Sequence, residues 1–125
     1  MQMRRQFGRA ALAVALAGFL LAAATASGHA ILVESNPAAN SKIHGPTVAV
    51  RLKFNSRIDG SRSRLTLFRP DGTSGELKIQ EQSTPDSLAS EATGLKPGSH
   101  RIHWQVLAAD GHITRGDISF TVTEN

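Results

Sequence analysis

Cysteine is absent from the 125-residue chain, so no disulfide supports the fold and no thiolate is available to a metal. Structural zinc sites and iron–sulfur clusters depend largely on cysteine, and both classes are therefore disfavoured. Tyrosine is also absent, and there is one tryptophan, so a broad aromatic binding face is not expected. The two methionines, Met1 and Met3, lie at the N-terminus. Histidine and carboxylate side chains remain as the candidate metal ligands.

Basic residues form no run that follows a phosphate backbone. Of the 14 Lys and Arg residues, Arg4, Arg5 and Arg9 lie within the first 28 positions, whereas all ten acidic residues come later. The rest of the chain therefore carries 11 basic and 10 acidic side chains, a formal charge of about +1. This balance excludes nucleic acid as a partner.

Residues 1–28 have the composition of a signal peptide. The arginines precede an Ala/Leu/Val-rich stretch at 10–24, which is too short and too rich in alanine for a membrane span. Arg4-Arg5-Gln6-Phe7-Gly8-Arg9 resembles a twin-arginine export signal, although an ordinary Sec leader fits equally well. Cleavage after Gly28 and after Ala26 both obey the small-residue rule, and the Ala26 site matches it better. We expect export, with no membrane span in the remaining chain.

Short alternating runs separated by turn residues dominate the chain after residue 30. Val48, Val50, Leu52 and Phe54 alternate with polar or small residues, and Ile102, Trp104 and Val106 do the same. We predict seven strands, at 31–35, 48–55, 64–69, 77–79, 88–92, 101–106 and 117–123. This pattern is typical of one domain, residues 29–125, with an all-β, immunoglobulin-like antiparallel sandwich of Greek-key connectivity.

His29 and the triplet Asp110-Gly111-His112 are the candidate metal ligands. If cleavage falls after Gly28, His29 becomes N-terminal and offers an α-amine and an imidazole to one metal ion. If the backbone at Asp110–His112 is extended, the carboxylate and the second imidazole point to the same side. Nitrogen and oxygen donors of this kind suit a tetragonal Cu(II) ion. We therefore predict a Cu(II) site of His29, Asp110 and His112.

Simpler interpretations of the same residues stay open. Asp110-Gly111 is also a common β-turn, which would leave His112 as an ordinary loop residue. Cleavage after Ala26 would make His29 the third residue. In that position the amine, two amides and the imidazole bind Cu(II) without help from Asp110.

Three further histidines are not included in this predicted site. His44, beside Gly45-Pro46, is expected in a loop. His100 shares the parity of Ile102 and is expected at the edge of the buried face. His103 alternates with Trp104 and is expected to face away from the core.

The segments that carry these candidate ligands resemble the CopC-type periplasmic copper-resistance proteins. The similar parts are 29–38, which begins with His and reaches Ser-x-Pro, then 95–106, Asp110–His112, Gly116 and 118–122. The resemblance covers essentially all of residues 29–125. It implies that His29 supplies amine and imidazole and that Asp110 and His112 supply the remaining Cu(II) ligands. It also favours cleavage after Gly28 and implies an inner-membrane copper transporter of the CopD type as a partner.

Two departures from that family limit what the resemblance implies. Some members carry a Met-rich loop that forms a Cu(I) site, whereas this chain has no methionine after Met3. Some members also have a glutamate after the phenylalanine of the second strand, near the copper. Here that stretch is Phe54-Asn55-Ser56-Arg57, which has no carboxylate, so the surroundings of the metal are expected to differ.

Together these features predict a periplasmic Cu(II)-binding protein, and not an enzyme, that sequesters copper or transfers it to a partner. One alternative is a small secreted copper monooxygenase, a class that also begins with a chelating histidine on an immunoglobulin-like fold. The other is an immunoglobulin-like interaction module that binds no metal.

Overall fold

The computed structural model describes residues 29–124, and every regular element in that range is a β-strand. The strands form a three-stranded sheet of order β1-β3-β6 and a five-stranded sheet of order β2-β8-β7-β4-β5. This sandwich confirms the predicted all-β, immunoglobulin-like class. The expected leader, residues 1–28, lies outside the described residues. The strands in chain order are β1 (Leu32–Asn36), β2 (Ser41–His44), β3 (Val48–Phe54), β4 (Ile58–Phe68), β5 (Ser74–Leu77), β6 (Ser87–Ala92), β7 (Gly98–Ala108) and β8 (Ile113–Thr123).

The core lies between the two sheets and consists of the apolar half of each alternating strand. In β3, Val50, Leu52 and Phe54 are buried while Arg51 and Lys53 are exposed, as the period of two requires. In β7 and β8 the buried apolar members are Ile102, Trp104, Val106, Ala108, Ile118, Phe120 and Val122. Burial of these side chains provides the main favourable free energy of folding, since no disulfide is present.

The indole of Trp104 joins the two sheets. Its ring packs edge-to-face on Phe54 of the opposite sheet, with centroids 5.2 Å apart and an interplanar angle of 73°. Its neighbour across the β7–β8 ladder is Gly116, which leaves the space that the indole fills. A Cβ atom at position 116 would lie 2.6 Å from Trp104 Cε2, closer than any real contact. Glycine is therefore required at this position by packing.

The strands differ from the prediction in several places, and one of them is β5, which covers Ser74–Leu77 instead of the predicted 77–79. Strand β2 was not predicted because it is only four residues long and lies between Asn40 and Gly45-Pro46. It pairs in parallel with β8, from Ser41 opposite Phe120 to His44 opposite Thr123, so the sandwich is not purely antiparallel. His44 is therefore a strand residue, and the expected loop position was wrong.

Strands β4 and β8 begin earlier than predicted. Strand β4 starts at Ile58. Its first residues were not predicted because the pairing with β7 shifts register between Asp59 and Arg64, and this shift interrupts the alternation of a regular strand. Strand β8 starts at Ile113, directly after the loop that follows β7.

The topology brings three separate segments to one end of the sandwich. Leu32 at the start of β1 lies opposite Phe54 at the end of β3, and Ile58 at the start of β4 lies opposite Ala108 at the end of β7. Residues 29–31, the β3–β4 connection and the β7–β8 loop are therefore neighbours. Within residues 29–124 no helix has the length and apolar character of a membrane span.

Gly116→Ala is expected to destabilise the domain by about 1–3 kcal/mol, because the added methyl group displaces the indole of Trp104 from a packed core. In a domain of this size that loss lowers Tm by roughly 4–8 °C per kcal/mol. Thermal unfolding followed by tryptophan fluorescence measures it. Gly75→Ala in β5 is the matched control, since its Cβ meets only the flexible end of Arg69, and it should leave Tm almost unchanged. Equal melting temperatures for the two variants would contradict the packing role of Gly116.

Candidate metal centre

His29 lies at the surface beside His112, although the two residues are far apart in the chain. Their ring centroids are 5.0 Å apart, with the planes inclined by 54°. The next residue, Ala30, is fully buried in the core and thereby anchors the backbone beside His29. The structure therefore brings together the two predicted histidine ligands.

The β7–β8 loop places Asp110 against His112. Gly111 has a φ of +88°, a conformation that glycine adopts without strain, and its N–H donates to the carbonyl of Ala108 over 2.9 Å. Asp110 Oδ1 accepts the backbone N–H of His112 over 3.0 Å, and Oδ2 lies 2.8 Å from His112 Nδ1. The segment is thus a turn and not extended, so the convergence of the two side chains arises from a different backbone than expected.

Hydrogen bonding keeps Asp110 ionised. The hydrogen bond with the His112 side chain is the largest cause that lowers the pKa of Asp110 below the usual range of aspartate, followed by the His112 backbone N–H. Burial opposes this shift, and the charges of His112 and His29 add to it. The loop therefore presents an anionic carboxylate beside two imidazoles.

The arrangement has the donor types of a Cu(II) site, but not a closed cage. Within residues 29–124 no group of three or more histidine and acidic side chains is gathered closely enough to enclose a metal ion. His29 and His112 are neighbours, whereas both carboxylate oxygens of Asp110 are engaged by His112. Two imidazole nitrogens and one carboxylate are donors that Cu(II) prefers.

Comparison with known proteins identifies the family. The model of the CopC domain matches residues 32–123. The chain belongs to the CopC family. Copper resistance protein C of Xanthomonas campestris pv. juglandis is 29% identical over 124 residues, which cover 93% of this chain and 97% of that protein. Protein YobA of Escherichia coli K12 is 30% identical over 97 residues, covering 75% of this chain and 78% of YobA.

A solved structure supports the same assignment. The crystal structure of CopC from Methylosinus trichosporium OB3b matches with a TM-score of 0.72 and 28% identity, covering 78% of this chain and 96% of that one. The CopC family consists of copper-binding and copper-resistance proteins, so the chain has a copper-related role.

The other histidines of this CopC domain are engaged elsewhere. His44 Nδ1 lies 3.0 Å from Thr123 Oγ1, and His103 Nδ1 lies 3.0 Å from Asp117 Oδ1 on the outward face of the sheet, as predicted for His103. His100 is 3% exposed and stacks on Phe120, so it lies inside the buried face and not merely at its edge. These three side chains contact strand residues and not the His29–His112 pair.

The structure adds residues that the sequence did not mark as functional. Asn55 hydrogen-bonds to Ile31, and the carbonyl of Arg57 accepts the N–H of Ala109 over 3.1 Å. In the sequence, position 55 was notable only because some members of the family have a glutamate after the preceding phenylalanine and this chain does not. Exposed apolar side chains adjoin both histidines in the chain: Ile31, two residues after His29, is 59% exposed, and Ile113, next to His112, is 52% exposed.

In the metal-free protein, the carboxyl group of Asp110 should titrate below the usual range of aspartate, as measured by carbon-13 NMR. His112→Ala removes the main cause and should move the pKa of Asp110 back toward that range, whereas His103→Ala should leave it unchanged. Because this pKa is lower in the folded than in the unfolded chain, Asp110 contributes stability that is lost as the pH falls through the lowered value. A normal pKa for Asp110 in the unmodified protein would contradict the observed contact.

Proposed function

We propose that this CopC-family protein binds Cu(II) in the periplasm through His29, Asp110 and His112, and sequesters the ion or passes it to a partner without catalysing a reaction. The observation that carries this proposal is the 5.0 Å contact between the rings of His29 and His112, with Asp110 bound to the second ring. The two histidines come from opposite ends of the described chain, and the fold alone brings them together.

The donor set favours Cu(II) over Cu(I). The site offers imidazole nitrogens and a carboxylate, which suit Cu(II), whereas Cu(I) prefers thiolate and thioether sulfur. The chain has no cysteine and no methionine beyond Met3. Export followed by cleavage after Gly28 would add the α-amine of His29 to this set. One residue then supplies two nitrogen ligands, which raises affinity because they are already held together.

Asp110 has two roles in this proposal. In the metal-free protein its carboxylate holds the His112 ring through Oδ2 and caps the loop through Oδ1. Coordination of copper by Asp110 replaces the Oδ2 contact, while the bond from the His112 backbone to Oδ1 keeps the loop closed. The carboxylate thus orients the imidazole of His112 in the metal-free protein and offsets the positive charge of the Cu(II) ion once it is bound.

Transfer of copper to a partner is supported by where the site lies. Both histidines are exposed at the end of the sandwich, and exposed apolar residues adjoin them in the chain, Ile31 near His29 and Ile113 next to His112. Exposed apolar side chains grouped at one place are typical of protein-binding surfaces. The family resemblance suggests a CopD-type transporter of the inner membrane as the protein that binds there.

His29→Ala and His112→Ala should each weaken Cu(II) binding by about 100-fold or more, and Asp110→Ala by at least about tenfold, given that even outer ligands of metal sites change affinity by 10–100-fold. Competition titration of the exported protein with a Cu(II) chelator measures this. His103→Ala removes a histidine that is also paired with an aspartate and should have no effect.

Two outcomes would point to other functions. If Cu(II) leaves Tm unchanged in the unmodified protein, tight binding is excluded, since a ligand at 100 times its Kd stabilises by about 2.7 kcal/mol. That result would favour a metal-free interaction module. Oxidation of polysaccharide by the copper-loaded protein with ascorbate would favour a monooxygenase.

The intact mass of the protein purified from the periplasm should correspond to a chain that begins at His29. This tests the α-amine ligand directly, because a chain beginning at Ser27 would place a different amine near the metal. Edman sequencing of the same sample is an independent check. A first residue of Ser27 would contradict the proposed chelate but would leave the imidazole pair in place.

A further inference from the structure

Asn55 extends the pairing between β1 and β3 by one residue toward His29. The N–H of Ile31 donates to Asn55 Oδ1 over 2.8 Å, and the N–H of Asn55 donates to the carbonyl of Ile31 over 2.9 Å. Side chain and backbone of one residue thus hold both backbone polar groups of Ile31. Ile31 is two residues from His29, so this contact restricts where the imidazole of His29 can lie.

The regular ladder does not provide that restriction by itself. The regular ladder of β1 with β3 ends at Leu32 opposite Phe54, with a register shift between Leu32 and Glu34, and beyond it a single backbone bond joins Asn55 N–H to the Ile31 carbonyl. After Phe54 the chain bends away to cross to the other sheet. The side chain of Asn55 therefore replaces a backbone partner at the place where β3 has left the sheet.

The same connection holds the other half of the site. The carbonyl of Arg57 accepts the N–H of Ala109, the residue before Asp110, over 3.1 Å. Residues 55–57 thus contact the segment that carries His29 on one side and the loop that carries Asp110 and His112 on the other. The connection is itself fixed by bonds from Phe54 N–H to Asp86 and from Ile58 N–H to Pro85, at 2.8 and 2.9 Å.

The geometry points to Asn55 as a positioning residue that sets the separation of His29 and His112 and thereby the affinity for Cu(II). This inference rests on the proposed copper site. Asn55 does not bind the metal: it acts through Ile31, by holding the N-terminal segment in the position that copper binding requires. Without its side chain one of the two bonds to Ile31 is lost, so part of the ordering of His29 has to occur when the metal binds, and that ordering reduces affinity.

The test compares Asn55→Ala with Asn55→Asp and with Asn36→Ala. Alanine removes the acceptor for the Ile31 N–H, whereas aspartate keeps an oxygen at the same place. Asn36 is the matched control, because its Nδ2 donates to the carbonyl of Ala49 over 2.6 Å and so ties the opposite end of β1 to β3. Asn36→Ala therefore disturbs the same pair of strands at the opposite end of β1, away from the histidines.

We expect Asn55→Ala to weaken Cu(II) binding by about 10–100-fold, the range for residues that orient metal ligands. Its Cu(II) electron paramagnetic resonance spectrum should broaden or split, and the Ile31 amide should exchange faster in the metal-free protein. Asn55→Asp should restore affinity to at least the original value, and Asn36→Ala should leave affinity and spectrum unchanged. Equal loss of affinity in Asn55→Ala and Asn36→Ala, or no rescue by aspartate, would overturn the inference.

Failure of this inference is distinguishable from failure of the proposed function. If the unmodified protein binds Cu(II) in a manner that depends on His29 and His112, but Asn55→Ala binds equally well, only the positioning role is wrong. If copper binding of the unmodified protein does not depend on the two histidines, the proposed site itself is wrong. In either case the exchange rate of the Ile31 amide shows whether its hydrogen bond to Asn55 Oδ1 has been lost.

Discussion

The contact between Phe54 and Trp104 is the constraint on which this end of the molecule depends. It joins the three-stranded sheet to the five-stranded sheet, and it exists because Gly116 leaves room for the indole. Phe54 is also the last residue of β3, so its burial determines where the chain turns toward Asn55 and Arg57. Packing in the core thereby fixes the surface segments that hold His29 and His112.

The candidate ligands and the residues that hold them in position lie in different parts of the chain. The donor groups lie on an N-terminal segment and a hairpin loop, neither of which is held by its own sequence neighbours alone. Support comes from a fully buried alanine, from a carboxylate that caps its own loop, and from a connection between sheets that touches both. The arrangement combines access from solvent with restricted side-chain positions, which are the two properties that the proposed copper site requires.

The sequence was sufficient to predict the sandwich and to name the three candidate ligands. Alternation in β3, β7 and β8 is strong because one face of each strand is buried, so these strands were found near their true positions. Strand β2 and the early part of β4 were missed, because a four-residue edge strand and a register shift both lack a periodic signal. The resemblance marked position 55 only by the absence of a glutamate, and the bonds of Asn55 had no local signal, since the partner Ile31 is identified only once β1 and β3 are paired.

Only two of the connections between the eight described strands are hairpins, β4–β5 and β7–β8, and the others cross between sheets. Folds dominated by such long-range pairing form slowly, because the entropy of closing long loops is lost before the native contacts contribute favourable free energy. The histidine pair draws on the first described residues, the middle of the chain and its last hairpin. Its geometry therefore depends on closure of the whole domain: the two histidines are held together only when the N-terminal segment and the last hairpin have both joined the sandwich.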